Sequence, residues 1–181
     1  MGYNISVAAT PNFIREIAAA TGAVPDSQGV APLVAAQQAA LGCVPPKLIY
    51  DQAAGMPKIF ADVSRVTGGA TQLVARLIQH GQADGRFHPL DFALGEDGGL
   101  TCPQQQTTYG RSRSQTADGW VYRFPVDLCQ ACPLTAPCRG NKLAAHKPRT
   151  VFVTDYVFHQ RRALAYLTTP AAQVDLRRRA Y

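Results

Sequence analysis

Apolar and polar positions alternate with a period of two over Tyr3 to Ala9 and predict a short strand. Ile14 to Ala20 fits a second strand and, taken alone, fits a helix equally well. Pro25-Asp26-Ser27 is a helix-start signal with Asp26 or Ser27 as N-cap, and Val30, Leu33, Val34 and Leu41 supply an apolar stripe that stops at Gly42. Pro45-Pro46 breaks the chain, after which Lys47 to Tyr50 reads as a buried strand ending on Asp51. Met56 to Val66 is a helix closed by Gly68-Gly69, and Thr71 to Ile78 a further strand. The order β-β-α-β-α-β predicts an α/β sheet with helices packed on it.

From residue 79 to 149 the pattern changes to Gly, Gln, Ser, Thr and Pro, with hairpin-like pieces such as Trp120 to Phe124. Nothing in this stretch supplies a core of its own, so short strands joined by turns and tied by metal are expected. Thr150 to Thr154 is a β-branched strand pattern, and Tyr156 to Tyr166 and Ala171 to Tyr181 have helical periodicity on either side of Pro170. Three segments result: 1–78, 79–149 and 150–181.

Composition refines this picture. The 181 residues, 46% hydrophobic and 17% charged, are enough for one domain and a small satellite. No apolar run approaches the roughly 18 residues that cross a bilayer, and Met1-Gly2-Tyr3-Asn4 does not resemble a leader, so the expectation is a cytoplasmic protein with no membrane partner. The five cysteines, an odd count, fit a reducing compartment. Cys43 stands apart from the other four and is expected to be a small buried apolar residue. Of the net charge of +6, the C-terminal stretch holds the excess: from Arg139 onward nine Lys/Arg face Asp155 and Asp175, a balance of +7. Arg161, Arg162, Arg177, Arg178 and Arg179 on helices suit a polyanion-facing surface, while a solvated helix face without a partner is the plain alternative.

Two features carry chemistry. Cys129-Gln-Ala-Cys132 lets two thiolates reach one ion from a tight turn, and Cys102 and Cys138 complete a four-thiolate set suited to structural Zn²⁺. A closed site of this kind folds a segment and leaves no open position for substrate. Asp51, at the C-terminal end of a strand, stands where α/β sheets bind ligands and metals, or else caps the turn that follows. His80, His88, His146 and His159 are scattered, and only His146 lies near the cysteines as a substitute ligand. There is no Gly-rich phosphate loop and no Gly-x-Ser-x-Gly.

Gly2-Tyr3-Asn4-Ile5-Ser6-Val7-Ala8, Pro25-Asp26-Ser27-Gln28 and Leu48-Ile49-Tyr50-Asp51-Gln52-Ala53-Ala54-Gly55 together resemble the middle of bacterial insertion-sequence transposases of the DDE type. Phe87 to Phe92, Leu100-Thr101-Cys102-Pro103, Cys129 to Leu134 and Cys138-Arg139 resemble the cysteine-bearing insertion of one branch of these enzymes. The closing basic run resembles the helix that leads to the catalytic glutamate. The resemblance implies a partial RNase H-like mixed sheet with packed helices, interrupted by a small cysteine-rich insertion at 79–149, with 150–181 returning to the core.

It also implies DNA as partner, a homo-oligomer in the DNA complex, and two Asp and one Glu holding divalent metal, usually Mg²⁺, for attack on a phosphodiester. Asp51 matches the second Asp. The first acid is expected upstream of the Gly2-Tyr3-Asn4 strand and the third beyond Arg178-Arg179, and the sequence contains neither. Ala9-Thr10 and Ala54 also depart from the family's pattern. The chain is therefore expected to be an internal fragment that does not cut or join DNA by itself, since one carboxylate does not hold two ions. The alternatives are a non-catalytic, zinc-stabilised nucleic-acid-binding module and a plain α/β domain with buried cysteines.

Overall fold

The computed structural model describes residues 2–10, 13–78, 86–140 and 147–178. The chain divides into two compact units, one built from Met1–Ile78 with Phe158–Tyr181 and the other from Gln79–Val157. Among the described residues the fold is mixed α/β, with four small sheets and six helices.

The first unit opens with an antiparallel hairpin of β1 (Tyr3–Ala9) and β2 (Ile14–Thr21), which settles the ambiguous second segment as a strand. Its pairing partners are Tyr3 with Thr21 and Val7 with Ile17, and the register shifts at Ala8/Ala9. Helix α1 (Asp26–Leu41) buries Val30, Leu33, Val34 and Gln37, the i, i+3, i+4, i+7 stripe of one helix face. Pro25, rather than Asp26 or Ser27, is the N-cap, and Asp26 lies in the first turn where an anion is favoured. The helix ends at Gly42, whose φ of 66° and N–H to the Gln38 carbonyl form a left-handed cap.

Strand β3 (Lys47–Ile49) pairs in parallel with β4 (Gln72–Val74), Leu48 opposite Leu73, across the crossover helix α2 (Pro57–Val66). Parallel neighbours require such a crossover, and Pro57 at its first position suits a helix start. Ile59, Phe60 and Val63 of α2 join Val30, Leu73, Ala75 and Ala163 in one core. The sheet pattern at 71–78 gives only a three-residue strand, because beyond Val74 the described backbone runs on without ladder partners of its own.

In the second unit, β5 (Ala93–Leu94), β6 (Leu100–Thr101) and β7 (Thr107–Thr108) form one antiparallel sheet. Strands β8 (Arg111–Arg113), β9 (Gly119–Phe124) and β10 (Arg149–Thr154) form another, in the order β10-β9-β8. Short helices α3 (Val126–Gln130) and α4 (Thr135–Arg139) lie between β9 and β10. The expectation that the strand at 150–154 returns to the first core differs from the structure: β10 pairs with β9 along its whole length, Arg149 opposite Phe124 and Thr154 opposite Gly119. The pattern of Thr150 to Thr154 announced a strand but carried no information about its partner.

The chain re-enters the first unit with α5 (Val157–Leu167) and α6 (Pro170–Arg178). Asp175, only 3% exposed, fastens α6: its carboxylate accepts from Lys47 Nζ at 2.6 Å and from the Tyr166 hydroxyl at 2.6 Å. Both donors hold the Asp175 carboxyl below its ordinary pKa, Lys47 first. No helix is long and apolar enough to cross a membrane among the described residues.

Candidate metal centre and nucleic-acid interface

The four clustered cysteines come from three separate turns. Cys102 sits in the β6–β7 connection, where its N–H donates to the Gln106 carbonyl at 2.8 Å and its carbonyl accepts from Gln105 N–H at 2.8 Å. That turn places Gln105 at φ 60°, the left-handed region a non-glycine residue seldom enters. Cys129 lies in α3, and Cys132 N–H folds back onto the Cys129 carbonyl at 3.3 Å. The Thr135 hydroxyl reaches both carbonyls, at 2.9 Å to Cys129 and 2.6 Å to Cys132, and fixes the tight turn. Cys138 follows on α4, its N–H bonded to the Leu134 carbonyl.

All four cysteines line one cavity of about 30 Å³, together with Phe92, Phe124, Leu128, Arg139 and Arg149. Each is half-buried. Burial pushes the Cys129 and Cys138 thiols up. The Arg139 charge works against that rise at Cys129, and the charge and a hydrogen bond of Arg149 do so at Cys138. Among the described residues, no three His, Cys, Asp or Glu side chains stand close enough to hold an ion as they are. The four sulfurs thus share a cavity without being drawn onto a common centre. Their donor chemistry fits zinc, and beside them Arg149 Nε is buried with no hydrogen-bond acceptor, a donor suited to a negatively charged cluster.

Asp51 follows β3 directly, and Tyr50 N–H continues the parallel ladder to the Val74 carbonyl at 2.9 Å. Its Oδ1 accepts from Ala53 N–H at 2.8 Å and caps the turn Gln52–Ala54, as the plainer reading of the residue expects. The carboxylate is otherwise exposed at the strand's C-terminal end. Gly55 closes this turn where a Cβ would run into the Arg76 carbonyl oxygen, so the loop after Asp51 admits no larger residue unless it shifts. Asp26, expected as a helix cap, is a second carboxylate, in the first turn of α1. The charges of Asp51 and Asp26 both help to raise the Tyr50 pKa, after burial, while a hydrogen bond with Ser6 lowers it. Ser6 on β1, Asp26 in the first turn of α1 and Asp51 at the end of β3 thus all act on Tyr50.

The basic residues divide. Arg161 is half-buried and Arg162 exposed on α5, Arg162 lining a small cavity with His159, Ser64 and Thr71. Arg177 and Arg178 are exposed on the last turn of α6, Arg177 Nε donating to the Gln173 carbonyl at 3.3 Å. Arg179, His80 and His146 lie outside the described residues. His88 has a local role: Nδ1 accepts from Leu90 N–H while Asp91 accepts from His88 N–H, a capping box. Cys43 is a correction, since it is exposed rather than buried. It follows the left-handed cap at Gly42 in a connection that carries no helix or strand, so its apolar neighbours Val44 and Pro45 did not signify a core position.

No protein-family model, no curated protein and no solved structure matches this chain.

Proposed function

We propose that the chain is part of a DNA transposase of the DDE type, in which an RNase H-like core handles DNA and a zinc-bound insertion is an architectural accessory. One observation carries the reading: a cysteine-bearing unit, Gln79–Val157, interrupts an α/β unit that resumes at Phe158. That arrangement is what the resemblance implies for its insertion. Two further features agree with it. The βαβ crossover delivers Asp51 to the C-terminal end of a parallel strand, the position where α/β sheets bind ligands. The β1–β2 ribbon turns Tyr3 (76% exposed), Ile5 (69%) and Val7 outward, an apolar sheet face of the kind that packs against a further layer.

Mg²⁺ at Asp51 belongs to a complete site of three acids, where it would polarise a phosphoryl oxygen and activate the attacking hydroxyl. Within this chain Asp51 supplies one rigid hard-oxygen ligand and the arginines of α5 and α6 supply phosphate contacts. The chain alone is therefore inactive in strand transfer with Mg²⁺ or Mn²⁺, and turnover lost in Asp51→Ala would overturn that statement. A non-catalytic, zinc-stabilised binding module that uses the same basic C-terminal helices is the competing reading.

Duplex DNA binding, followed by fluorescence anisotropy across a salt series, tests the proposal. Arg177→Ala with Arg178→Ala weakens binding uniformly across sequences and lowers the salt slope by about 2. An absence of DNA binding would refute both readings.

A further inference from the structure

We propose that Arg149 is the positioning residue of the four-cysteine centre, a cation built into the cavity wall to neutralise and orient a metal tetrathiolate without itself ligating the metal. The inference rests on the zinc reading above.

A divalent ion held by four thiolates keeps an excess of negative charge. In a cavity walled by Phe92, Phe124 and Leu128, that charge is costly unless cations and N–H donors stand beside the sulfurs. The fold places two guanidiniums there. Arg139 is 4% exposed and lines the cavity, its charge acting on Cys129. Arg149 opens β10, where pairing with Phe124 of β9 fixes its backbone. Its Nη2 donates to the Phe87 carbonyl at 3.2 Å, and its guanidinium lies 5.9 Å from the Phe92 ring centre. Those contacts hold the planar fork in one orientation, with the head group against Cys138.

One donor of that fork is left over. Among the described residues Arg149 Nε is buried and has no acceptor, and a buried donor without an acceptor costs about 1–3 kcal/mol. A sulfur drawn into a metal cluster becomes a charged acceptor in the cavity that Arg149 lines. The arrangement follows the rule that groups outside the ligand set orient the ligands and tune affinity, typically by 10–100-fold.

The test uses the full chain, with zinc affinity measured by competition against a chromophoric chelator and folding followed by the fluorescence of Trp120. The wild type binds zinc with a one-to-one stoichiometry; Arg149→Gln binds about 10–100-fold more weakly, Arg149→Lys recovers part of that loss, and Arg123→Gln, an exposed change on β9, binds as the wild type does. Unchanged affinity in Arg149→Gln would overturn the proposal. So would equal losses in Arg149→Gln and Arg149→Lys, or failure of both to fold under saturating zinc, because each assigns Arg149 to the scaffold alone. A wild-type chain that takes up no zinc, or whose uptake is unaffected by Cys132→Ser, refutes the metal reading itself and is distinguishable from these outcomes.

Discussion

Phe60 and Phe124 are both nearly buried phenylalanines, yet they stand in cores of different make-up. Around Phe60 the neighbours are Val30, Ile59, Val63 and Leu73, spaced by helix and strand periodicity and brought together by a helix crossover. Around Phe124 they are Phe92, Leu100, Tyr122, Val151 and Val153, with the thiols of Cys102, Cys129 and Cys138 packed against them. The first core closes on itself with apolar atoms. The second has short strands of two to six residues and leaves one wall made of sulfur and guanidinium. Under the proposed zinc reading, a unit of that kind would gain from a metal what it lacks in buried carbon.

Under the proposed zinc reading, metal removal should separate the two cores most strongly. Structural zinc contributes on the order of 10–16 kcal/mol to small sites at neutral pH, so chelation should unfold the Gln79–Val157 unit and leave the other folded. Trp120, the chain's single tryptophan, lies in the cysteine-bearing unit and would report its unfolding by a red-shifted emission. Retained native emission in excess chelator would break the comparison.

Next in size is Phe60→Ala, which should cost the first unit about 3–5 kcal/mol, with the same loss in the presence and absence of chelator. Chemical denaturation followed by far-ultraviolet circular dichroism reads it, and a chelator-dependent loss would show that the cores are not independent in this respect.

A smaller effect comes from the clasp of α6. Asp175→Ala removes the acceptor of Tyr166 and Lys47 and should cost the first unit roughly 1.5–3 kcal/mol. Because those donors depress the Asp175 pKa, its contribution is present above the ordinary carboxylate value near about 4 and is lost as pH falls through the lower folded value. The wild type should therefore lose stability in that acid window more steeply than Asp175→Ala, as urea midpoints measured from pH 6 down to pH 2 would show. Parallel pH profiles would contradict this account of the clasp.

The smallest prediction is a gain. Gln105 holds φ 60° in the turn that carries Cys102, so Gln105→Gly should stabilise the metal-bound second unit by about 1 kcal/mol. A destabilised variant in thermal melts would mean that the glutamine side chain, rather than the turn, matters there.

The same contrast explains what could be read in advance. The stripe Val30, Leu33, Val34 with its stop at Gly42 announced α1 almost to the residue, because helix period and a left-handed cap are local properties. The strand ending on Asp51 and the helix after Met56 were legible for the same reason. The N-cap of α1 fell on Pro25 instead, a boundary that a string of cap-forming residues leaves undetermined. Partners were harder. The pattern of Thr150 to Thr154 signalled a strand, but its pairing with β9 depends on side chains some 30 residues away. Clustering of four cysteines was legible from spacing, while the two arginines in their cavity wall were not, since Arg149 arrives on a separate strand. At Asp51 the pattern allowed both a turn cap and a metal ligand, and the hydrogen bond to Ala53 is the cap, made without engaging the whole carboxylate.

Hydrogen exchange resolved to segments, on the full chain with bound zinc and after chelation, tests the central claim most directly. Chelation should strip protection from Arg111–Arg113, Gly119–Phe124 and Arg149–Thr154 while Asp26–Leu41 and Pro57–Val66 keep theirs. Protection that persists in β8, β9 and β10 without metal, or that disappears equally from α1 and α2, would contradict it.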